Sequence, residues 1–315
     1  MELQTVVENR ERLDAAPDMK PAAVLYAAPH GPQSLTALLR ADALARARGE
    51  RLIVLRVVPR VGSGDPLFPR QVPLRAAHLL RLEAAVGKLT ARWCRRHLCT
   101  PPDPDDIQVR RGTLDQVVRD VCGEHDVSLI VLARSEGMEG AGVEALALDT
   151  LRPVLVAEAQ GPSDLVIAGS SLEDRNDPVL RFTGDLCARL KAPGLFLHNV
   201  SPFLMSVPFS AAATAPTLVH LPALVTDRAR LLKAAARRID SCAATELRHE
   251  LDPASALVDL ANKRGADLVV VGARPRPWWR LLERSVAAAV VDRACASVLV
   301  LPLVTPQAWL PRAWG

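Results

Sequence analysis

Aromatic residues are scarce: phenylalanine, tryptophan and tyrosine make up 3% of 315 residues, so valine, leucine and alanine have to fill the core. Lysine is scarce too. Lys20, Lys88, Lys191, Lys233 and Lys263 are the only lysines among 39 cations, a bias that fits a high-GC coding sequence better than any one chemistry. The six cysteines (Cys94, Cys99, Cys122, Cys187, Cys242, Cys295) form no CxxC pair, which leaves small free thiols in a reducing compartment as their reading. The seven histidines show no HxH or HExxH spacing, and His198, inside an apolar run, reads as a core histidine. No Ser/His/Asp order or paired carboxylate stands out, so neither a metal site nor an enzyme is expected.

Long apolar runs are missing as well. Residues 193–225 contain no Asp, Glu, Lys or Arg, but Pro202, Pro208, Pro216 and Pro222 interrupt them. A membrane-spanning helix needs about 20 mostly apolar residues with every backbone group satisfied, so no membrane span is expected. The first 20 residues carry Glu2, Glu8 and Glu11 and no apolar centre, unlike a signal peptide. The chain therefore reads as cytoplasmic. Its net charge of +4 is modest and looks dispersed along the sequence, which argues against a nucleic-acid partner.

What the sequence does have is a repeat. RLIVLRVVP (51–59) matches GLFLHNVSP (194–202), SLIVLAR (128–134) matches DLVVVGA (267–273), RPVLVAEA (152–159) matches ASVLVLPL (296–303), and AVLYAA (23–28) pairs with LVIAGS (165–170). Four matches in one order at nearly one offset indicate a tandem duplication. Within each copy, short Val/Ile/Leu runs read as buried parallel strands. Amphipathic stretches at 35–49, 74–98, 114–125, 178–190, 226–242 and 253–265 read as helices. Each copy is then an α/β unit, five parallel strands with helices on both faces. The expected divisions are a lead-in at 1–20, a first domain at 21–160, a second at 161–304 and a tail at 305–315.

The order of elements, and above all ADLVVVGAR…SVAAAVVDRACASVLVLPL (266–303), resembles the universal stress protein family. The resemblance covers residues 21–304 as two Rossmann-like domains in tandem. Members that bind nucleotides carry glycine, two residues, glycine, nine residues, then glycine and Ser/Thr, with an aspartate after the first strand. In the second copy Gly272 and Ser285 match, whereas Pro275 and Arg284 replace the other glycines and Ser170 stands at the aspartate position. In the first copy Ala133, Glu136 and Pro29 replace the corresponding residues, and Gly142 is the nearest third glycine.

A phosphate cradle uses backbone N–H groups that glycine lets come close. Pro275 has no N–H, and Glu136 places a negative charge where phosphates would sit. The resemblance thus implies a non-catalytic stress-response module with degenerate nucleotide motifs. Its domains would pair through the last strand of each, 153–159 against 297–303, as an internal dimer; a homodimer of whole chains is also compatible. The alternative is an ATP or AMP sensor using the second domain alone, with at most slow hydrolysis. Its site would place Gly272, Arg274, Arg276, Ser285 and Val286 around the phosphates, with Ser170 and Asn199 near ribose and base. A further alternative is an accessory subunit that docks other proteins through Trp278, Trp279, Trp309 and Trp314 and the apolar 201–225 loop.

Overall fold

The computed structural model describes residues 22–29, 35–58, 76–134, 139–158, 164–172, 177–200, 221–239, 243–275 and 285–303. The alternation of apolar runs and amphipathic stretches folds as strand and helix in turn. The first half gives β1 (Ala23–Pro29), α1 (Leu35–Arg48), β2 (Arg51–Val58), α2 (Ala76–His97), β3 (Ile107–Arg111), α3 (Leu114–Glu124), β4 (Val127–Ala133), α4 (Gly140–Thr150) and β5 (Val154–Ala157). The second half repeats the series. It contains β6 (Val166–Ser170), α5 (Pro178–Leu190), β7 (Gly194–Asn199), α6 (Leu221–Arg238), β8 (Ala244–Arg248), α7 (Pro253–Arg264), β9 (Leu268–Ala273), α8 (Val286–Arg293) and β10 (Ser297–Pro302).

The described strands join one sheet in the order β3-β2-β1-β4-β5-β10-β9-β6-β7-β8. Every neighbouring pair is parallel except the central one, β5 with β10, which is antiparallel. Its register sets Leu155 opposite Leu299, flanked by Val156–Val298 and Val154–Val300. Leu155 and Leu299 are mates at the repeat offset, so a pseudo-twofold axis passes between them. The pairing also removes two apolar strand edges that would otherwise invite aggregation.

Each connection places its helix on one side of the sheet, and the sides sort cleanly. Buried residues of α1, α2, α5 and α6 pack into one apolar layer; those of α3, α4, α7 and α8 pack into the other. Polar contacts also cross the seam. Arg40 pairs with Asp267 and donates to Ser297 Oγ at 2.6 Å, and the Glu158 N–H donates to the same oxygen at 3.1 Å. Arg134 Nη1 donates to the Val291 carbonyl at 2.6 Å.

Two local readings are corrected. Helix α6 begins at Leu221, so residues 221–225 belong to a helix rather than a loop, with Pro222 in the first turn, where its missing N–H costs nothing. Strands β3 and β8 have no counterpart among the apolar runs, because IQVRR and ATELR are half-buried edge strands with mixed polarity.

Candidate functional site

In open α/β sheets, ligands bind beyond the strand C-termini where the chain order reverses. In the second half that place lies between the ends of β6 and β9, which are neighbours in the sheet. Ser170 closes β6. Its hydroxyl donates to Asp177 and accepts the Leu172 N–H at 3.0 Å. Asp177 also caps α5, accepting from the Val179 and Leu180 amides at 2.9 and 3.3 Å. Leu172 is held at φ 51°, a left-handed conformation that costs a leucine of the order of 1 kcal/mol.

The neighbouring candidates are engaged as well. Both ends of the Asn199 amide meet the Glu250 backbone at 2.9 Å. Ser285 Oγ accepts the Ala288 N–H at 2.7 Å and caps α8, while Val286 is exposed as the first residue of that helix. A Cβ on Gly272 would run into Leu303 and come within 3.0 Å of Val179 Cγ2. A side chain there would have to push the Leu303 side chain aside, while Gly272 itself is half-buried. Arg274 is exposed at the rim, its Nη2 3.4 Å from Ser171 Oγ. Arg276, Trp278, Trp279 and Arg284 lie outside the described residues, as do residues 201–220, Trp309 and Trp314.

Sequence reasoning missed Asp177 and Leu303. Asp177 sits in the polar stretch SLEDRND and reads as a linker residue, although an Asp before a proline-initiated helix was an available capping signal.

The first half is closed differently. Pro29 ends β1, Ala133 ends β4, and Glu136 lies outside the described residues. Gly140, not Gly142, opens α4, and its N–H donates to Asp292 Oδ1 at 2.7 Å. A carboxylate from α8 therefore takes the position at the helix N-terminus that an anionic ligand would take. A Cβ on Gly140 would collide with the Ala288 carbonyl oxygen and lie 2.7 Å from its carbon, whereas one on Gly142 meets nothing within 4 Å. No local pattern announces a cap donated from 152 residues away.

Among the described residues no group of His, Cys, Asp and Glu is arranged to hold a metal, and no helix is long and apolar enough to cross a membrane. Burial pushes the Cys94 and Cys187 thiols up to about 11 and Cys122 to about 12, so all three stay protonated near neutral pH.

His198 lies beneath Ser170, its Nδ1 2.8 Å from the Ser170 carbonyl, which can only accept, so Nδ1 carries the proton. Burial lowers its pKa, and the Arg228 charge adds to this, against the opposing pull of the Ser170 hydrogen bond and Asp177. The unfolded chain, with a histidine pKa of about 6.5, thus takes up protons before the folded one does. This contribution to stability is complete above about pH 6.5 and is lost as the pH falls toward the folded-state value. Urea midpoints are expected to fall between about pH 7.5 and about pH 5.5. The fall should be shallower in His198→Gln, leaving the part due to His125, whose pKa is lowered by burial and by Arg51.

Residues 22–146 and 165–302 each match the model of the universal stress protein family. A universal stress protein from Archaeoglobus fulgidus aligns over 90% of this chain and 97% of its own, at 12% identity and a TM-score of 0.55. A putative universal stress protein from Pseudomonas aeruginosa aligns over 90% and 93%, at 16% identity and a TM-score of 0.57. A universal stress protein in complex with cAMP covers 44% of this chain and 97% of its own, at 22% identity and a TM-score of 0.33. No curated protein gives a significant match. With both halves of the repeat matched by the family model and the fold shared with solved relatives over 90% of the chain, the chain belongs to the universal stress protein family as a tandem, two-copy member.

Proposed function

We propose that this chain is a non-catalytic docking or regulatory module whose two nucleotide crevices have been closed by its own groups. The observation that carries the reading is the packing of Leu303 and Val179 onto Gly272, the one family glycine kept in the second half. Around it, Ser170, Asn199 and Ser285, which a ribose or phosphate would engage, are held by Asp177, Glu250 and the α8 backbone. In the first half Asp292 occupies the helix terminus. Placing a nucleotide in either crevice would mean breaking these bonds, each worth about 0.5–1.5 kcal/mol net and more where a charge takes part.

Two features favour the second reading, a nucleotide sensor in the second half. Arg274 stands at the crevice rim beside Ser171, and Arg228 Nη1 lies 3.4 Å from the Leu172 carbonyl, so two cations border the mouth. A thermal-shift series with ATP, AMP and cAMP, run beside an assay for released phosphate, separates the readings. The docking reading expects no change in melting temperature and no turnover. A ligand at about 100 times its Kd would instead add about 2.7 kcal/mol of stability and a visible shift.

A further inference from the structure

The chain's net charge of +4 hides a separation that only the fold reveals. Helices α1, α2, α5 and α6, which share one face of the sheet, carry 15 Arg and Lys against four Asp and Glu, a net of +11. Helices α3, α4, α7 and α8, on the other face, carry four against seven, a net of −3. Of the four acids in the cationic layer, Asp42, Glu83 and Asp227 are already paired with arginines. Charge that looks dispersed in the sequence is thus sorted onto one face of the sheet.

The same layer carries most of the exposed apolar side chains. Seven of the ten large apolar residues exposed among those described belong to it, three of them on α2, where Leu80 and Leu89 are 64% and 62% exposed. Helix α2 seats Thr90 and Cys94 on the sheet and turns Arg81, Lys88, Arg92, Arg95 and Arg96 to solvent. Leu82 and Leu89, seven residues apart, fall on one stripe beside Arg92 and Arg96. Between α1 and α5 the layer also holds a cavity of about 290 Å³, floored by Leu155 and Leu299 and walled by Leu44, Phe182 and Leu186.

We infer that this helical layer docks the protein peripherally on an anionic lipid surface, with α2 as the principal contact. Arginines with leucines beside them match a headgroup region, where phosphates meet the cations and the leucines reach the acyl boundary. Nucleic acid would use the cations but give the leucines nothing to bury in, and single-strand binders add aromatic platforms, which α2 does not expose. Sheet twist of about 20° per strand, over the eight strand steps between the β2–β3 and β7–β8 crossovers, turns α2 and α6 roughly 160° apart, so a flat surface meets one of them at a time. Helix α2 is the longer and, among the described residues, carries three exposed leucines where α6 carries Leu231 alone. In the first half α1 and α2 carry a net of +6, and α3 and α4 on the opposite face a net of −4. That separation orients α2 toward the surface on approach. None of this depends on whether the second-half crevice takes a nucleotide.

The test is co-sedimentation of the full chain with vesicles of phosphatidylcholine alone and of phosphatidylcholine with about one-third phosphatidylglycerol. Binding is expected only to the anionic vesicles, falling at least about tenfold between about 0.1 M and about 0.5 M salt. Each α2 cation removed should weaken it roughly fivefold, so the triple change Arg92→Glu, Arg95→Glu, Arg96→Glu should abolish it. Leu82→Ser with Leu89→Ser should weaken binding about tenfold at unchanged charge, because two buried apolar side chains are lost. Lys263→Glu with Arg264→Glu, on α7 of the other layer, should leave it intact. All substituted positions are exposed, and matching circular dichroism and melting curves establish that the variants fold. Failure to bind anionic vesicles, indifference to the leucine changes, or tighter binding to duplex DNA than to vesicles would each overturn the inference.

Discussion

Gly140→Ala is expected to destabilise the protein by about 3 kcal/mol, and Gly142→Ala, two residues further along α4, to stabilise it by about 0.5 kcal/mol. Alanine normally gains over glycine in a helix because the unfolded chain has less freedom to lose. At Gly142 nothing opposes that gain, since a Cβ there meets open space. At Gly140 the added methyl strikes the Ala288 backbone, which cannot move aside by changing rotamer, so α4 and α8 must separate. Separation also weakens the bond from the Gly140 N–H to Asp292 and exposes the apolar surface between the two helices. Urea unfolding of the two variants beside the parent reads both signs. Equal, small effects would mean that α4 and α8 do not meet as described.

The second large effect belongs to the seam of the sheet. Val298 is fully buried in the layer that holds α4 and α8 and faces Val156 across the antiparallel pair. Val298→Asp sets a carboxylate there with no partner, at a cost of about 4 kcal/mol or more. Val298→Ala, which only leaves a cavity, should cost about 2 kcal/mol. Because β5 and β10 join the halves, both changes should lower the stability of the whole chain in one cooperative transition. Two transitions, with the first half unaffected, would show that the halves fold separately.

How much of this was legible follows from the physics of each element. Strands β1, β2, β4 and β5 and their mates are buried on both faces and stand out as unbroken apolar runs. The edge strands β3 and β8 touch a neighbour on one side only and keep Arg, Gln and Glu, so periodicity does not mark them. The pairing of β5 with β10 was expected from the family resemblance and is observed.

The site was less legible. Replacement of the family glycines by Pro275 and Arg284 could be read directly, but the partners of Gly272 and Ser170 could not. Leu303 and Asp177 reach the crevice from positions that carry no local signature, and Asp292 arrives from the other copy. The charge separation was hidden for a simpler reason. Chain order visits the cationic pair α1 and α2, the acidic pair α3 and α4, then the second cationic pair α5 and α6, so averaging along the sequence cancels what the layers divide.

The central claim is that the chain's own side chains occupy both crevices, and a calorimetric titration of ATP into the full chain tests it most directly. The account predicts heats no larger than dilution up to a nucleotide concentration of about 1 mM, the level at which binding is worth only about 4 kcal/mol. A saturable isotherm near one nucleotide per chain, with Kd in the micromolar range, would contradict it.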